Sequence, residues 1–307
     1  MASEMKDFLN VADEIAEAVA VGAPVVALES TIFTHGLPRP RNLQVALATE
    51  QLVREAGAVP ATIGVHRGVP TVGLTHAQIE ELAGDDEVLK SGIRELAIGV
   101  VNRKNAGTTI AATSFLACRA GIKVFATGGL GGVHHGAAEN FDESADLVAL
   151  AHNPIVLVSS GAKAVLDIHA TLERFETLSV PIVGYRTHAY PGFYVAESGF
   201  NVAHRVDTPE QVAAIFAAQR ALGLRAALLV GNPVPVEEQL DPALLADVVK
   251  KAWAALDAQG IEGQSVTPFL LDFIRRETGD ASLDANVALY RNNARLAAQI
   301  AGALAHG

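Results

Sequence analysis

The stretch VVALESTIFTHGLPRP, residues 25–40, places a carboxylate directly after a continuous apolar run. Residues 25–28 are all apolar, which is typical of a strand covered on both faces of a parallel sheet. Glu29, Ser30 and Thr31 follow at once, so a carboxylate and two hydroxyls come at the carboxyl end of the predicted strand. Because open α/β sheets bind ligands at the carboxyl ends of their strands, this stretch predicts both a parallel sheet and a candidate site.

Apolar runs of the same kind recur along the chain and alternate with helical patterns. The further predicted strands cover residues 61–65, 122–126, 155–158, 182–184 and 226–230. The predicted helices cover residues 44–56, 77–83, 108–120, 209–221, 242–258 and 286–304. The alternation predicts an α/β protein, a three-layer α/β/α sandwich around a largely parallel mixed sheet. The length of 307 residues alone allows one large domain or two ordinary ones.

Two segments depart from the alternation. Residues 185–207 are rich in Tyr, His, Gly and Phe and lack a clear period, so we expect irregular structure over or beside a site. Residues 240–307 are mostly helical in pattern, and we expect them to cover one face of the sheet.

The composition is that of a globular protein with a large core, since half of the 307 residues are apolar and 19% are charged. The net charge is −11 and no basic block is present, which disfavours nucleic-acid binding as the main function. The single cysteine, Cys118, excludes an internal disulfide and a Cys-based metal site, and we expect a core thiol in an apolar helix. The N-terminus is acidic, unlike a signal peptide, and no apolar stretch is long enough to span a bilayer, so a cytoplasmic location is the default expectation.

Four polar clusters directly follow strand-like runs and form the candidate site. They are Glu29-Ser30-Thr31, residues 127–132 (TGGLGG), residues 159–163 (SSGAK) and residues 231–233 (GNP). Burial would raise the pKa of Glu29 and suit it to acid–base catalysis, although a structural glutamate that accepts backbone hydrogen bonds fits the sequence as well. The glycines would let backbone amides approach an anion or would form a tight turn, and their spacing fits neither a dinucleotide-binding fingerprint nor a P-loop.

Asp142 and Asp146 are four residues apart and would share one face of a helix. With His134, His135 and Glu139 nearby, they could bind a hard divalent cation through oxygen and water. The alternative is that Asp142 caps the helix and Asp146 is solvated. Spacing alone leaves both interpretations open.

Two lysines and a pair of threonines complete the candidates. A helix is predicted to begin near Lys163, where the positive end of its dipole would favour a neutral, nucleophilic amine; a surface pair with Asp167 is the alternative. Lys90 lies behind three acidic residues, which indicates a surface ion pair. Thr108 and Thr109 open a helical pattern, so they could bind a phosphate or simply cap the helix.

The segments VALESTIFTHGLPRPRN, AVPATIGV, NAGTTIAAT, GIKVFATGGLGGVHHGA, FDESADL, SSGAKAVLDI, NPVP, TPFLL and NNA occur in this order. Together they resemble the pseudouridine-5′-phosphate glycosidase family, also called the indigoidine synthase A-like family, over about residues 19–297. The resemblance implies that residues 1–307 form a single α/β/α domain that assembles as a homotrimer. It also implies reversible cleavage of pseudouridine 5′-phosphate to uracil and ribose 5-phosphate with one divalent metal ion per subunit, usually Mn²⁺. His135 stands where an arginine is expected, which puts a role of that position in charge recognition in doubt, and Phe33 and Thr34 replace smaller or more aliphatic residues.

The resemblance also implies roles for individual residues. Lys163 matches the nucleophile, Glu29 the proton donor and Asp142 the metal ligand. Residues 144–146 match a stretch that contacts substrate and the water shell of the metal. The family's substrate contacts, together with Thr109, give these candidate substrate-binding residues: Lys90, Thr109, Ile110, His134, Ser144, Ala145, Asp146 and Asn286. Among them, the histidine and the asparagine match residues near the uracil.

Pseudouridine joins ribose to uracil through a carbon–carbon bond, so an ordinary pair of carboxylates would find no leaving oxygen to protonate. Our hypothesis is that Glu29 protonates the ribose ring oxygen while Lys163 bonds to C1′ and later expels uracil as an iminium forms. A Schiff-base aldolase or lyase acting on a sugar phosphate would use the same lysine, and release of uracil discriminates between the two. A non-catalytic phosphometabolite-binding protein is the alternative from another class, and it would form no covalent adduct.

Overall fold

The computed structural model describes residues 8–261 and 266–306 of the chain. Within these ranges, eleven strands form one sheet. The strands are β1 (Asn10–Val11), β2 (Val25–Leu28), β3 (Val59–His66), β4 (Val69–Val72), β5 (Leu89–Ser91), β6 (Ala106–Thr108), β7 (Val124–Ala126), β8 (Val156–Ser159), β9 (Ile182–Tyr185), β10 (His204–Val206) and β11 (Leu228–Gly231). The α-helices are α1 (Asp13–Ala20), α2 (Arg41–Glu55), α3 (His76–Gly84), α4 (Ile93–Val101), α5 (Ile110–Arg119), α6 (Ala137–Asn140), α7 (Ala145–His152), α8 (Ile168–Thr177), α9 (Pro209–Ala221), α10 (Pro242–Gln259), α11 (Val266–Glu277) and α12 (Ala281–His306). A π-helical turn covers Ile32–Gly36 and a 3₁₀ turn covers Val236–Glu238.

The main path of the sheet runs β1-β4-β3-β2-β7-β8-β11-β9-β10, and β6 pairs with both β3 and β5 beside this path. Neighbouring strands are parallel, except that β4 and β6 run antiparallel to β3. Helices flank this sheet. The predicted α/β class with a largely parallel mixed sheet is therefore confirmed.

The centre of the sheet is fully covered. Every residue of β2, β7, β8 and β11 is buried, as the continuous apolar runs predicted. The long helix α12 packs against β2, β7 and β8. This arrangement fixes the ends of three neighbouring strands, and the loops that follow them, relative to one helix.

The predicted elements agree with the observed ones to different degrees. The predictions for residues 25–28 and 209–221 coincide with β2 and α9. Residues 185–207 are irregular as expected, apart from the three-residue strand β10. The mostly helical pattern predicted after residue 240 is confirmed by α10, α11 and α12, while residues 262–265 and 307 lie outside the described residues. The short elements β4, β5, β6 and α4 were not predicted.

Cys118 lies on α5, partly buried, and packs against the core. Burial raises the pKa of its thiol to about 12, so the thiolate is disfavoured at neutral pH. No helix in the described ranges combines the length and the apolar character needed to cross a lipid bilayer.

Candidate active site

A cavity of about 560 Å³, counted with its open mouth, lies where β2, β7 and β8 end. Residues that follow these strands form part of its lining: Glu29 after β2, Gly128 and Gly129 after β7, and Lys163 after β8. Other lining residues include Thr31, Ile32, Lys90, Phe193, Thr267 and Asn286. The carboxyl ends of parallel strands thus bring together residues that are far apart in the sequence.

Glu29 is 6% exposed, and both of its carboxylate oxygens accept hydrogen bonds, one from the Thr31 hydroxyl and one from the Thr127 hydroxyl. Burial raises the pKa of Glu29, and the positive charge of Lys163 is the largest influence that opposes the rise. The Ser30 hydroxyl has a different task, because it accepts a 2.7 Å hydrogen bond from the backbone N–H of Thr108. The two bonds to Glu29 come from hydroxyls, whereas the structural alternative expected backbone amides.

Lys163 is positioned by the pairing of two loops. The N–H of Ser160 donates to the Gly128 carbonyl at 2.9 Å, and the N–H of Leu130 donates to the Gly161 carbonyl at 2.9 Å. The N–H of Lys163 then donates to the Leu130 carbonyl at 3.0 Å. The parallel pairing of β7 with β8 therefore continues into the loops, and Lys163 projects from a backbone that is fixed on one side by the glycine-rich segment.

The prediction that a helix begins near Lys163 is wrong. Helix α8 begins at Ile168, and its cap is Asp167, whose carboxylate accepts a 2.9 Å hydrogen bond from the N–H of Ala170. Lys163 therefore does not lie at a helix N-terminus, and Asp167 caps α8 instead of pairing with Lys163 at the surface. The physical reason is that residues 162 and 167 form bridges with Leu130 and Val133, which tie both ends of this loop to the neighbouring segment and leave only a short turn between them.

Lys90 lies on β5, is only partly exposed and lines the cavity, which is not the open surface position that the sequence indicated. Burial lowers the pKa of Lys90, and the charge of Lys163 lowers it further. The charges of Asp146 and Glu29 act in the opposite direction. The two lysines and the two carboxylates are thus close enough to influence one another electrostatically.

Asp146 is buried, which corrects the alternative that it is solvated. One carboxylate oxygen accepts a 2.9 Å hydrogen bond from the N–H of Ala111, and the other accepts a 3.0 Å bond from the N–H of Gly131. The carboxylate therefore joins the first turn of α5 to the glycine-rich segment. Buried charge is tolerated here because both oxygens have backbone donors.

The helix α7 starts later than the spacing of the two aspartates suggested. Ser144 caps it, accepting a 3.2 Å hydrogen bond from the N–H of Asp146, and Ala145 is its exposed first residue. Asp142 precedes the helix, so it neither caps α7 nor shares a helical face with Asp146.

Asp142 instead lies beside His134, with 3.5 Å between the carboxylate Oδ1 and the ring Nδ1. The other ring nitrogen, Nε2, is 3.3 Å from the hydroxyl of Thr267, which lines the cavity. Burial lowers the pKa of His134, and the Asp142 charge opposes this. His135 and Glu139 are exposed, and the described residues contain no cluster of three or more His, Cys, Asp or Glu side chains placed to hold a metal. The five-residue cluster suggested by the sequence is therefore not assembled.

Thr109 and Ile110 lie at the start of α5, next to the strand that carries Lys90. The Thr109 hydroxyl accepts a 3.5 Å hydrogen bond from the N–H of Ala112, so it caps the helix. The N–H of Thr109 donates to the carbonyl of Ser91 at 2.9 Å, and Ile110 is buried. Four of the predicted site residues line the cavity, namely Glu29, Lys90, Lys163 and Asn286. The other predicted residues are not part of its lining, although His134 lies 3.3 Å from Thr267, which is; they are Thr109, Ile110, His134, Asp142, Ser144, Ala145 and Asp146.

Three residues at the site were given no role by sequence reasoning. Thr127 binds Glu29, and Phe193 lines the cavity from the irregular segment that was expected to lie near a site. Asn293 is fully buried and donates a 2.8 Å hydrogen bond to the carbonyl of Thr127. Its Oδ1 accepts a 2.9 Å bond from the Asn232 amide. Thr127 stands directly after a strand and could have been singled out on that ground. Phe193 and Asn293 carry no local sequence signal.

Fold and cavity together define an α/β protein with a buried carboxylate and two lysines at the carboxyl ends of a parallel sheet. Residues 14–303 match the model of the family described as indigoidine synthase A like protein, and the chain belongs to that family.

Known relatives are similar over nearly the whole chain. The pseudouridine-5′-phosphate glycosidase of Saccharopolyspora erythraea is 61% identical over 96% of this chain and 97% of its own. The pseudouridine-5′-phosphate glycosidase of Caldanaerobacter subterraneus subsp. tengcongensis is 45% identical, covering 97% of each chain. Among solved structures, the prealnumycin C-glycosynthase AlnA in complex with ribulose 5-phosphate is 36% identical, with a TM-score of 0.90 over 97% of both chains.

Proposed function

We propose that this protein cleaves the carbon–carbon glycosidic bond of pseudouridine 5′-phosphate, reversibly, to give uracil and ribose 5-phosphate. The observation that carries the proposal is the placement of Glu29 and Lys163 in one cavity, with an acid whose pKa is raised by burial beside an amine. The names of the relatives, at up to 61% identity, support this substrate. The pentulose phosphate bound by the similar C-glycosynthase supports a sugar phosphate as ligand.

The first step opens the sugar. The neutral amine of Lys163 attacks C1′, the bond from C1′ to the ring oxygen breaks, and that oxygen takes the proton of Glu29. The resulting secondary ammonium returns a proton to the Glu29 carboxylate. A glutamic acid that keeps its proton at a higher pH than usual suits the first half of this exchange, and the hydroxyls of Thr31 and Thr127 can hydrogen-bond to either protonation state.

The second step releases the base. Glu29, which regained a proton at the end of the first step, donates it to uracil C5. The nitrogen lone pair of Lys163 then forms a double bond to C1′, and the C1′–C5 bond electrons return to the uracil ring. Neutral uracil leaves and a ribose iminium remains on Lys163. Water adds to the iminium, and collapse of the adduct frees ribose 5-phosphate and the lysine. The attacking water gives up one proton to the Glu29 carboxylate, so the net reaction consumes one water and restores both residues to their starting protonation states.

The protein residues fit a divalent cation of the Mg²⁺ or Mn²⁺ type, and we propose Mn²⁺ with Asp142 as its protein ligand. Such cations often keep several waters and need only one or two carboxylates, so the lack of a three-ligand cluster among the described residues is compatible with them. The buried Nδ1 of His134 has no hydrogen-bond partner within normal distance, and it faces the Asp142 carboxylate, where it would orient the ligand. When bound, the cation would neutralise the phosphate side of the substrate through its water.

Substitution of the two central residues tests the chemistry. Lys163→Ala should lower the rate of uracil release at least about 1000-fold, because it removes the nucleophile. Glu29→Gln should lower it about 100- to 10000-fold, the usual range for one general acid. Borohydride should trap a ribose 5-phosphate adduct on wild-type Lys163. The control is Lys123→Ala, at the amino end of β7 and far from the cavity, which should behave as wild type.

Release of uracil from pseudouridine 5′-phosphate separates the proposal from other Schiff-base enzymes. An adduct without uracil release would indicate an aldolase or lyase acting on a sugar phosphate. Near-normal turnover by Lys163→Ala would contradict the covalent mechanism.

Removal of the metal tests the second part of the proposal. Exhaustive chelation should abolish turnover, and added Mn²⁺ should restore it. In calorimetric titration, Mn²⁺ should bind wild-type protein and bind Asp142→Asn at least about tenfold more weakly. Glu139→Gln, an exposed carboxylate on α6, is the control and should bind Mn²⁺ as wild type does. Full activity after chelation would contradict a role for the metal.

The homotrimer and the cytoplasmic location implied by resemblance and composition stay predictions.

A further inference from the structure

The two oxygens of the Glu29 carboxylate have different surroundings. Oε2 accepts a hydrogen bond from the hydroxyl of Thr31, which lines the cavity. Oε1 accepts a hydrogen bond from the hydroxyl of Thr127, which is fully buried and stands behind the cavity lining. Oε2 therefore lies on the side of the cavity, and Oε1 is turned towards the interior of the protein.

Thr127 is held by its backbone on both sides. Its N–H donates a 3.0 Å hydrogen bond to the carbonyl of Val158 on β8, and its own carbonyl accepts a 2.8 Å bond from the side-chain amide of Asn293 on α12. Neither bond uses the hydroxyl, and the branched side chain has restricted χ1 freedom. The hydroxyl that meets Glu29 is therefore a fixed donor, to which the carboxyl group must align.

This contact bears on which oxygen of Glu29 carries the proton. A neutral carboxylic acid holds its proton on one oxygen, while the other oxygen accepts hydrogen bonds. A hydroxyl that donates to Oε1 favours the form with the proton on Oε2, which is the oxygen on the cavity side. Because proton transfer needs donor and acceptor within about 2.6–3.2 Å, the orientation of the carboxyl group decides whether its proton reaches a substrate.

We propose that Thr127 is a positioning residue for the acid: its hydroxyl holds Oε1 and thereby presents Oε2, with the transferable proton, to the cavity. This inference rests on the proposed function, because it assigns the orientation of the acid that this function uses. The hydroxyl acts on the substrate only through Glu29. Its loss should therefore slow the chemical step and leave substrate binding nearly unchanged.

The first test is Thr127→Val, which removes the hydroxyl but keeps the branched shape and both backbone hydrogen bonds. We expect kcat for uracil release to fall about 10- to 100-fold, the loss typical of a slightly misplaced catalytic group, with KM changed less than about threefold. Thr127→Ser retains a hydroxyl and should restore most of kcat. Thr127→Ala also lacks the hydroxyl and provides the same information if Thr127→Val fails to fold.

The pH dependence distinguishes positioning of the acid from a merely structural role. The Thr127 hydroxyl favours the ionised form of Glu29, so its removal should raise the pKa of Glu29 further. Because the first step needs Glu29 protonated and Lys163 neutral, the pH optimum lies between their two pKa values and should move to higher pH in Thr127→Val. The substitution leaves in place the other titratable groups that interact with Glu29, which are Lys163, Lys90, Asp146 and Tyr290.

Thr49→Val is the matched control. Thr49 is also fully buried, and its hydroxyl donates a 2.8 Å hydrogen bond to the carbonyl of Val45 within α2. The substitution deletes a buried hydroxyl of the same kind, so it should lower stability in a similar way without changing kcat or the pH optimum.

Four outcomes would overturn the inference: a kcat of Thr127→Val within about twofold of wild type, a lower kcat with an unmoved pH optimum, a Thr127→Ser variant as slow as Thr127→Val, or an equal effect of Thr49→Val.

Infrared titration separates this inference from the proposed function, because it reports the protonation of Glu29 without any reaction. The carboxyl band of Glu29 is identified by its absence in Glu29→Gln. A band that titrates at higher pH in Thr127→Val than in wild type, in a protein that releases no uracil, would contradict the proposed function and support the role of Thr127. Identical titration in both proteins would contradict the role of Thr127, even where uracil is released.

Discussion

The pKa of Glu29 is subject to opposing effects. Burial disfavours the carboxylate and is the largest effect on its pKa, which rises. The charge of Lys163 and the hydroxyls of Thr127 and Thr31 favour the carboxylate and limit the rise. An acid of this kind can give up its proton during a reaction and take it back, because neither form is left without a partner.

The raised pKa of Glu29 has a consequence for stability. A glutamic acid whose folded-state pKa lies above its unfolded-state pKa contributes stability below the unfolded value, and this contribution is lost as pH rises through the folded value. At pH 8 ionisation of this carboxyl group therefore favours the unfolded state, and Glu29→Gln removes that effect. We expect Glu29→Gln to unfold at a higher temperature than wild type at pH 8, with the difference shrinking as pH falls towards 4.5. Thermal unfolding followed by circular dichroism at both pH values measures this.

Glu14 provides the contrast for that experiment. Its hydrogen bond with Arg54 lowers its pKa, so ionisation at this position favours the folded state. Glu14→Gln should not raise the unfolding temperature at pH 8. If Glu29→Gln proved less stable than wild type at pH 8, the buried carboxylate would not be unfavourable and the sign of its pKa shift would be wrong.

At the scale of elements, the fully buried strands were the most predictable. Runs such as those of β2, β8 and β11 are continuously apolar and are followed by polar or glycine-rich residues, so local sequence specifies both the strand and its end. The short strands β4 and β5 lack this signal, since β4 contains Pro70 and β5 consists of Leu, Lys and Ser. Pairing with neighbours stabilises them, and no single-sequence pattern reports that pairing.

The residues of the candidate site were predictable where they directly follow the end of a strand. Glu29 and Lys163 could be found because each stands just beyond an apolar run, and Lys90 was found only through the family resemblance. The burial of Asp146 could not be found, because its donors are the backbone amides of Ala111 and Gly131, 35 and 15 residues away. Long-range contacts of this kind decide whether a polar side chain is solvated or structural.

On the scale of the whole molecule, α12 connects the cavity with the interior. Asn286 lines the cavity, and Asn293 lies seven residues further on, two turns along the same face of the helix. Asn293 bonds to the Thr127 carbonyl after β7, to the Ser160 hydroxyl after β8 and to the Asn232 amide after β11. One buried side chain therefore fixes three strand-end loops relative to each other.

This arrangement predicts that Asn293 is disproportionately important for stability. Asn293→Ala would leave buried partners such as the Thr127 carbonyl and the Asn232 amide unsatisfied, and we expect it to lower the free energy of unfolding by about 2–4 kcal/mol. Asn292, its neighbour, is the matched control because its amide makes one 3.0 Å hydrogen bond, to the Pro233 carbonyl, and Asn292→Ala should lose only about 1 kcal/mol. Denaturant titrations of both variants measure the difference. Equal losses would mean that the strand-end loops hold their positions without Asn293, and that the sheet, not α12, sets the geometry of the cavity.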